Sequence, residues 1–147
     1  MVTVVAVVGC GLMAGLFFAF SVAVMPALRR LPPAEGASAM QGINRTILNP
    51  VFGVAFGGAT VACVLLPVLV LVGTAGGGAW RVTGALLYLV GTFLVTVVGN
   101  VPMNNRLDAA GPDGDRVWPD YLRRWTAWNH VRTVTSTAAT AVLALAL

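Results

Sequence analysis

The chain carries no charged side chain between Met1 and Leu28, and none between Val51 and Val72. Each run is long enough to cross the hydrocarbon core of a bilayer as a helix, which takes roughly 20 residues. In lipid every backbone N–H and C=O must be bonded within the protein, so such a run is constrained to be helical. A third run, from Arg81 to about Leu107, is also apolar apart from polar side chains at regular spacing. The last run, Thr133–Leu147, is too short to span alone. A fourth span must therefore begin near Trp128 or earlier. That places Trp125, Trp128, Asn129, His130 and Arg132 in or beside the membrane. Ionisable groups at membrane depth are costly and are by default functional candidates.

Composition supports the membrane reading. Charged residues make up 10% of the chain and hydrophobic ones 58%, whereas an ordinary soluble domain is about 25% charged. The expected fold class is all-α, an integral membrane antiparallel four-helix bundle, with residues 1–147 forming a single four-span transmembrane domain. The net charge of +4 is too small and too dispersed for a nucleic-acid interface. Eight of the nine arginines fall in the first and last connections of a four-span chain. The positive-inside rule puts those connections in the cytoplasm and both termini outside, in the cell membrane. The N-terminus lacks the basic start and small-residue cleavage pattern of a removed signal peptide, so the first segment is expected to stay as an anchor.

In the first run, Gly11 and Gly15 have the GxxxG spacing that lets another helix approach closely. Phe17, Phe20, Ser21 and Val24 share one helical face, either packing against neighbours and lipid or walling a slot for a flat apolar ligand. Pro32 and Pro33 break the helix, and Ala34–Leu48 is expected to form a short amphipathic helix with Met40, Ile43 and Ile47 on one face. Gln41, Asn44 and Asn49 add amides at the membrane edge. The second run repeats GxxxG at Gly53 and Gly57, and Pro67 is expected to kink it. The paired GxxxG patterns also permit a homodimer. A glycine-rich turn at Thr74–Gly78 makes the second and third spans a hairpin.

Thr92, Thr96, Asn100 and Asn104 recur every four residues on the third span, with Pro102 inside that stripe. Asp108–Arg124 reads as a polar loop, with Pro119 at the first turn of the fourth helix. At 100° per residue, Trp125, Asn129, Arg132 and Ser136 lie near the middle of that helix's polar face, while Val131, Val134, Ala138 and Ala141 face the other way. Cys10 and Cys63 each sit in an apolar run, so helix packing, a redox pair and a disulfide are all open; no CxxC occurs.

Folding back four spans brings the polar groups of every helix to one end of the bundle. Asparagine and histidine hydrogen bonds can serve only to hold membrane helices together. The alternative is a site. A lone histidine without nearby carboxylates does not make a multi-ligand metal centre, so no metal site is expected. His130 is then a candidate general base. Arg132, Asn129, Asn100 and Asn104 are candidates to stabilise an oxyanion. Trp125, Trp128, Asn44, Asn49, Phe17, Phe20, Ser21 and Met25 are candidates to bind an apolar aromatic substrate. This set suits removal of an acidic C–H proton from a phenolic or ketonic substrate. The rival readings are a metal or haem enzyme with His130 as ligand, a small-molecule binding or transport protein, and a structural subunit of a membrane complex.

Five ordered segments carry a resemblance: Phe20–Leu28, Met40–Asn44, Asn49–Phe52, Asn100–Asn104 and Trp125–Arg132. Together they resemble the anthrone oxygenase family of small four-helix membrane proteins. The resemblance implies oxidation of an anthrone to an anthraquinone with dioxygen, in aromatic polyketide chemistry and without an organic cofactor. It matches Asn44, Asn49, Asn100, Pro102, Asn104, Trp125, Trp128, Asn129 and Arg132 to shared positions. The role of His130 rests on chemistry instead.

Overall fold

The computed structural model describes residues 1–73 and 78–147. The expected turn at Thr74–Gly78 lies outside them except for Gly78. The described residues form five helices: α1 (Val2–Leu28), α2 (Pro33–Ile47), α3 (Pro50–Leu71), α4 (Gly78–Ala109) and α5 (Gly114–Ala144). The fold is all-helical. Helices α1, α3 and α4 are long and apolar enough to cross a membrane, with mean hydropathies of 2.3, 2.4 and 2.0. Helix α5 has the length, but Asp115, Arg116, Asp120, Arg123, Arg124 and Arg132 lower its apolar character.

Local sequence accounts for the helix boundaries. Asn49 caps α3, its Oδ1 accepting the Phe52 N–H at 3.0 Å, and Pro50 follows at the first helical position. Pro33 opens α2, and Glu35 lies in its first turn, where a negative charge suits the helix dipole. Two wide, π-helical turns interrupt α1 and α4 just before a proline. Phe20–Val24 precedes Pro26, and Thr96–Asn100 precedes Pro102. A proline ring displaces the carbonyl four residues earlier, here that of Val22 or Val98, and a widened turn relieves the clash. Pro67 does not interrupt the α-helical run of α3.

The polar loop expected at Asp108–Arg124 is much shorter than the sequence suggests. Only a tight turn, Gly111–Asp113, separates α4 from α5. Pro119 consequently stands in the second turn of α5 rather than its first. The cause is an apolar edge on an otherwise charged segment: Trp118, Tyr121 and Trp125 are spaced at three and four residues and are buried. They pack against Met40 and Ala37 of α2 and Met25 and Leu28 of α1.

Helix α5 packs along both α1 and α4, and α3 packs against the same two helices from the other side. The GxxxG glycines are not where the helices meet most closely. A Cβ on Gly15, Gly53 or Gly57 would touch nothing within 4 Å, whereas one on Gly9 would come within 2.7 Å of the Ala59 Cβ. Likewise Gly91 admits Thr135, with which a Cβ would collide at 2.3 Å. Cys10 and Cys63 are buried free thiols with sulfurs 3.8 Å apart between α1 and α3.

The described residues form two apolar cores. One gathers Cys10, Met13, Phe17, Leu66, Tyr88 and Leu143; the other gathers Met25, Met40, Leu107, Trp118, Tyr121 and Trp125. On α1, α4 and α5 polar side chains lie between these cores: Ser21; Thr92, Thr96 and Asn100; and Asn129, Arg132 and Ser136. The candidate site is this layer.

Candidate functional site

In an α-helix every fourth residue drifts by about 40° around the axis. Thr92, Thr96, Asn100 and Asn104 would drift well off one face, but the wide turns at Leu89–Leu94 and Thr96–Asn100 offset this. All four therefore meet α5. Thr92 Oγ1 lies 2.7 Å from Ser136 Oγ, and Thr96 Oγ1 accepts from Arg132 Nη1 at 3.3 Å. Asn100 Nδ2 donates to the Trp125 carbonyl at 3.3 Å. Asn104 Oδ1 accepts from Trp125 Nε1 at 2.7 Å and from the Tyr121 hydroxyl at 2.9 Å.

Arg132 is the centre of the layer. It is 5% exposed. Its Nη2 donates to Asn129 Oδ1 at 2.8 Å, and its guanidinium carbon lies 4.2 Å from the centroid of the Phe17 ring and 5.1 Å from that of Trp125. Among the described residues, none of its hydrogen-bond partners is an acid. Asp108, near the C-terminal end of α4, is instead held in an exposed ion pair with Arg45. The charge is thus held by amide, hydroxyl and aromatic faces, which position it without neutralising it.

A cavity of about 90 Å³ opens beside Arg132. Phe17, Phe20, Trp125 and Phe52 supply aromatic walls, and Thr96, Asn100, Asn104 and Asn44 supply polar ones. Ile43, Ile47 and Leu48 close it from the α2 side. Two buried polar atoms on its lining side chains, Asn100 Oδ1 and Arg132 Nε, have no hydrogen-bond partner. Such atoms cost about 1–3 kcal/mol each and call for a ligand or water.

His130 and Ser21 do not line this cavity. They lie in a separate, open groove with Met25. Ser21 Oγ is 3.0 Å from His130 Nδ1 and accepts from Asn129 Nδ2 at 2.8 Å, while Asn129 Nδ2 also donates to the Phe17 carbonyl at 2.8 Å. Asn129 is therefore a partition, touching Arg132 on one side and Ser21 on the other. Asn49 is the exposed α3 cap and donates to the Thr46 carbonyl. Trp128 is 38% exposed, with its ring over Gly99. Neither lines the cavity.

A family model described as anthrone oxygenase matches residues 48–142. The chain belongs to the anthrone oxygenase family. The match covers α3, α4 and all but the last two residues of α5, and so includes the α4 and α5 groups around Arg132. The Phe17, Ser21 and Asn44 contributions come from α1 and α2, outside the matched span. Comparisons with curated proteins and with solved structures give no match.

For this member of the family the informative addition is Tyr121, which lies in the segment that reads as loop in the sequence. Its hydroxyl donates to Asn104 and accepts from Asn44 Nδ2 at 3.4 Å, so it ties α2 to the polar layer. Burial pushes its phenol up from the ordinary range, which keeps the proton on as a donor. Its four-residue spacing to Trp125 was the available signal. Among the described residues no three His, Cys, Asp or Glu side chains are grouped to hold a metal ion.

Proposed function

We propose that the chain is a four-span membrane oxygenase that oxidises an anthrone-like phenolic ketone to a quinone with dioxygen, in the cavity beside Arg132. Trp125–Ala144 would supply the fourth span, about 30 Å long at about 1.5 Å per residue. The arginine-rich connections then face the cytoplasm and the termini lie outside.

The observation that carries this reading is a buried arginine whose partners are all neutral, facing an aromatic-walled cavity. A cation in that position favours a bound anion. An anthrone loses one methylene proton to become an aromatic anthranolate, whose charge rests on oxygen. Arg132 would hold that oxygen, and a neighbouring hydroxyl of the substrate would donate to Asn100 Oδ1. The proton passes to water. The electron-rich anion reduces dioxygen, carbon–oxygen bond formation and reprotonation give the hydroperoxide, and loss of water leaves the carbonyl. One dioxygen converts CH2 to C=O and yields one water, so the step needs no other oxidant.

Pockets that bury ligands of this size usually hold about 300–1,000 Å³. The cavity is smaller, so entry requires α2 to move outward with Ile43, Ile47 and Leu48. His130, the expected base, is joined to the cavity through the Asn129 amide and the Ser21 hydroxyl, and an amide is a poor proton conductor. The proposal therefore places proton loss within the cavity. The test is dioxygen consumption and quinone formation by the protein in lipid nanodiscs with a hydroxylated anthrone. Turnover that Arg132→Gln abolishes supports the reading. Saturable binding with no product would make the chain a binding or transport protein instead.

A further inference from the structure

We propose that the open groove between α1 and α5 binds the phosphate headgroup of an anionic membrane lipid. The groove encloses about 440 Å³, separate from the Arg132 cavity and on the far side of the Ser21–Asn129 partition. Its two walls are graded in the same direction. Ser21 and His130 form the inner end, Met25, Pro26 and Leu122 make an apolar floor, and Arg29 and Arg123 stand at the mouth. The gradient follows from helix spacing: Leu122, Thr126 and His130 lie four residues apart on α5, and Ser21, Met25 and Arg29 four apart on α1.

The mouth carries excess positive charge. Arg29 has no ion pair among the described residues. Arg123 shares Asp120 at 3.2 Å with Arg124 at 3.5 Å and Arg106 at 3.8 Å, so one carboxylate serves three guanidinium groups. Arginine forks match phosphate oxygens. Thr126 Oγ1, on the groove wall, is buried without a hydrogen-bond partner and is a further donor or acceptor. In the four-span arrangement these ends sit at the level of the headgroups, and basic pockets between helices on the cytoplasmic side bind lipid phosphate. The apolar floor takes the glycerol and first methylenes, which a free phosphate would leave uncovered.

The experiment is native mass spectrometry of the full chain, released from detergent with phosphatidylglycerol, phosphatidylcholine or millimolar inorganic phosphate added. Phosphatidylglycerol should be retained after phosphatidylcholine has been stripped. Arg29→Gln with Arg123→Gln should lower its occupancy about tenfold, while Arg116→Gln, away from the groove, should leave it unchanged. Leu122→Trp, which fills the groove and keeps every charge, should also remove the lipid. Equal retention of the two lipids, or an equal loss in Arg116→Gln, overturns the proposal. Displacement of phosphatidylglycerol by inorganic phosphate overturns its lipid part and makes this a site for the free anion.

Discussion

Two polar sites lie back to back across Asn129, and they differ in almost every physical respect. The cavity is small, aromatic-walled and built around one desolvated guanidinium with neutral partners. The groove is open, its arginines are solvated, and its histidine is exposed. The same kinds of side chain are therefore placed under different dielectric conditions. In the cavity a charge interacts strongly and requires a partner; in the groove it is screened and acts mainly by attraction. Chemistry on an anion belongs in the first setting, reversible capture of an anionic surface in the second.

The contrast can be broken most directly at Arg132. Arg132→Gln should reduce anthrone turnover by about 100-fold to 1,000-fold, the range for losing a preorganised oxyanion partner, as read by initial rates of quinone formation. Arg132→Lys should recover only part of this, because a lysine cannot bridge Asn129, Thr96 and a substrate oxygen together. Asn129→Leu tests the partition. It removes the donor to the Phe17 carbonyl and to Ser21 and strips Arg132 of its Asn129 bond, so it should destabilise the protein by about 3–5 kcal/mol, seen as a large drop in thermal unfolding temperature. Wild-type stability in that variant would mean the two sites are not mechanically joined.

Asn100→Ala removes the unpartnered acceptor together with the bond to the Trp125 carbonyl. It should slow turnover by about tenfold and cost about 1 kcal/mol of stability for the lost bond, far less than Asn129→Leu. Asn49→Ala should cost about 1 kcal/mol of stability, the usual value of a helix cap, with turnover unchanged. The smallest effect on chemistry is expected at His130: His130→Ala should change turnover less than about threefold. A loss as large as that of Arg132→Gln would show that the partition conducts protons and would restore His130 as the base.

Much of this arrangement was legible before any coordinates. The charge-free runs Met1–Leu28 and Val51–Val72 predict helices that are found at Val2–Leu28 and Pro50–Leu71, and the amphipathic helix expected over Ala34–Leu48 is present at Pro33–Ile47. The four-residue stripe from Thr92 to Asn104 does face α5. The start of α5 was not legible, because seven charged residues between Asp108 and Arg124 outweigh the spacing of Trp118, Tyr121 and Trp125 in any average over the segment. Asn49 looks like a site amide in the sequence, but Asn-Pro before an apolar run is also a helix-start signature. Its bonds are those of a cap.

What the sequence determined by itself was the class of molecule and the presence of a polar layer. Long runs without charge leave the backbone no arrangement in lipid other than helix, and polar groups within them must face protein. What only the tertiary structure decided was the direction of each polar group. His130 and Arg132 are two residues apart, hence about 200° apart around α5. Which of them faces the aromatic-walled cavity depends on the rotation of α5 about its own axis. Packing sets that rotation, through Trp118, Tyr121 and Trp125 against α1 and α2 and through Thr135 against Gly91. Two residues separated by a single valine are thereby sorted into two sites with different physics.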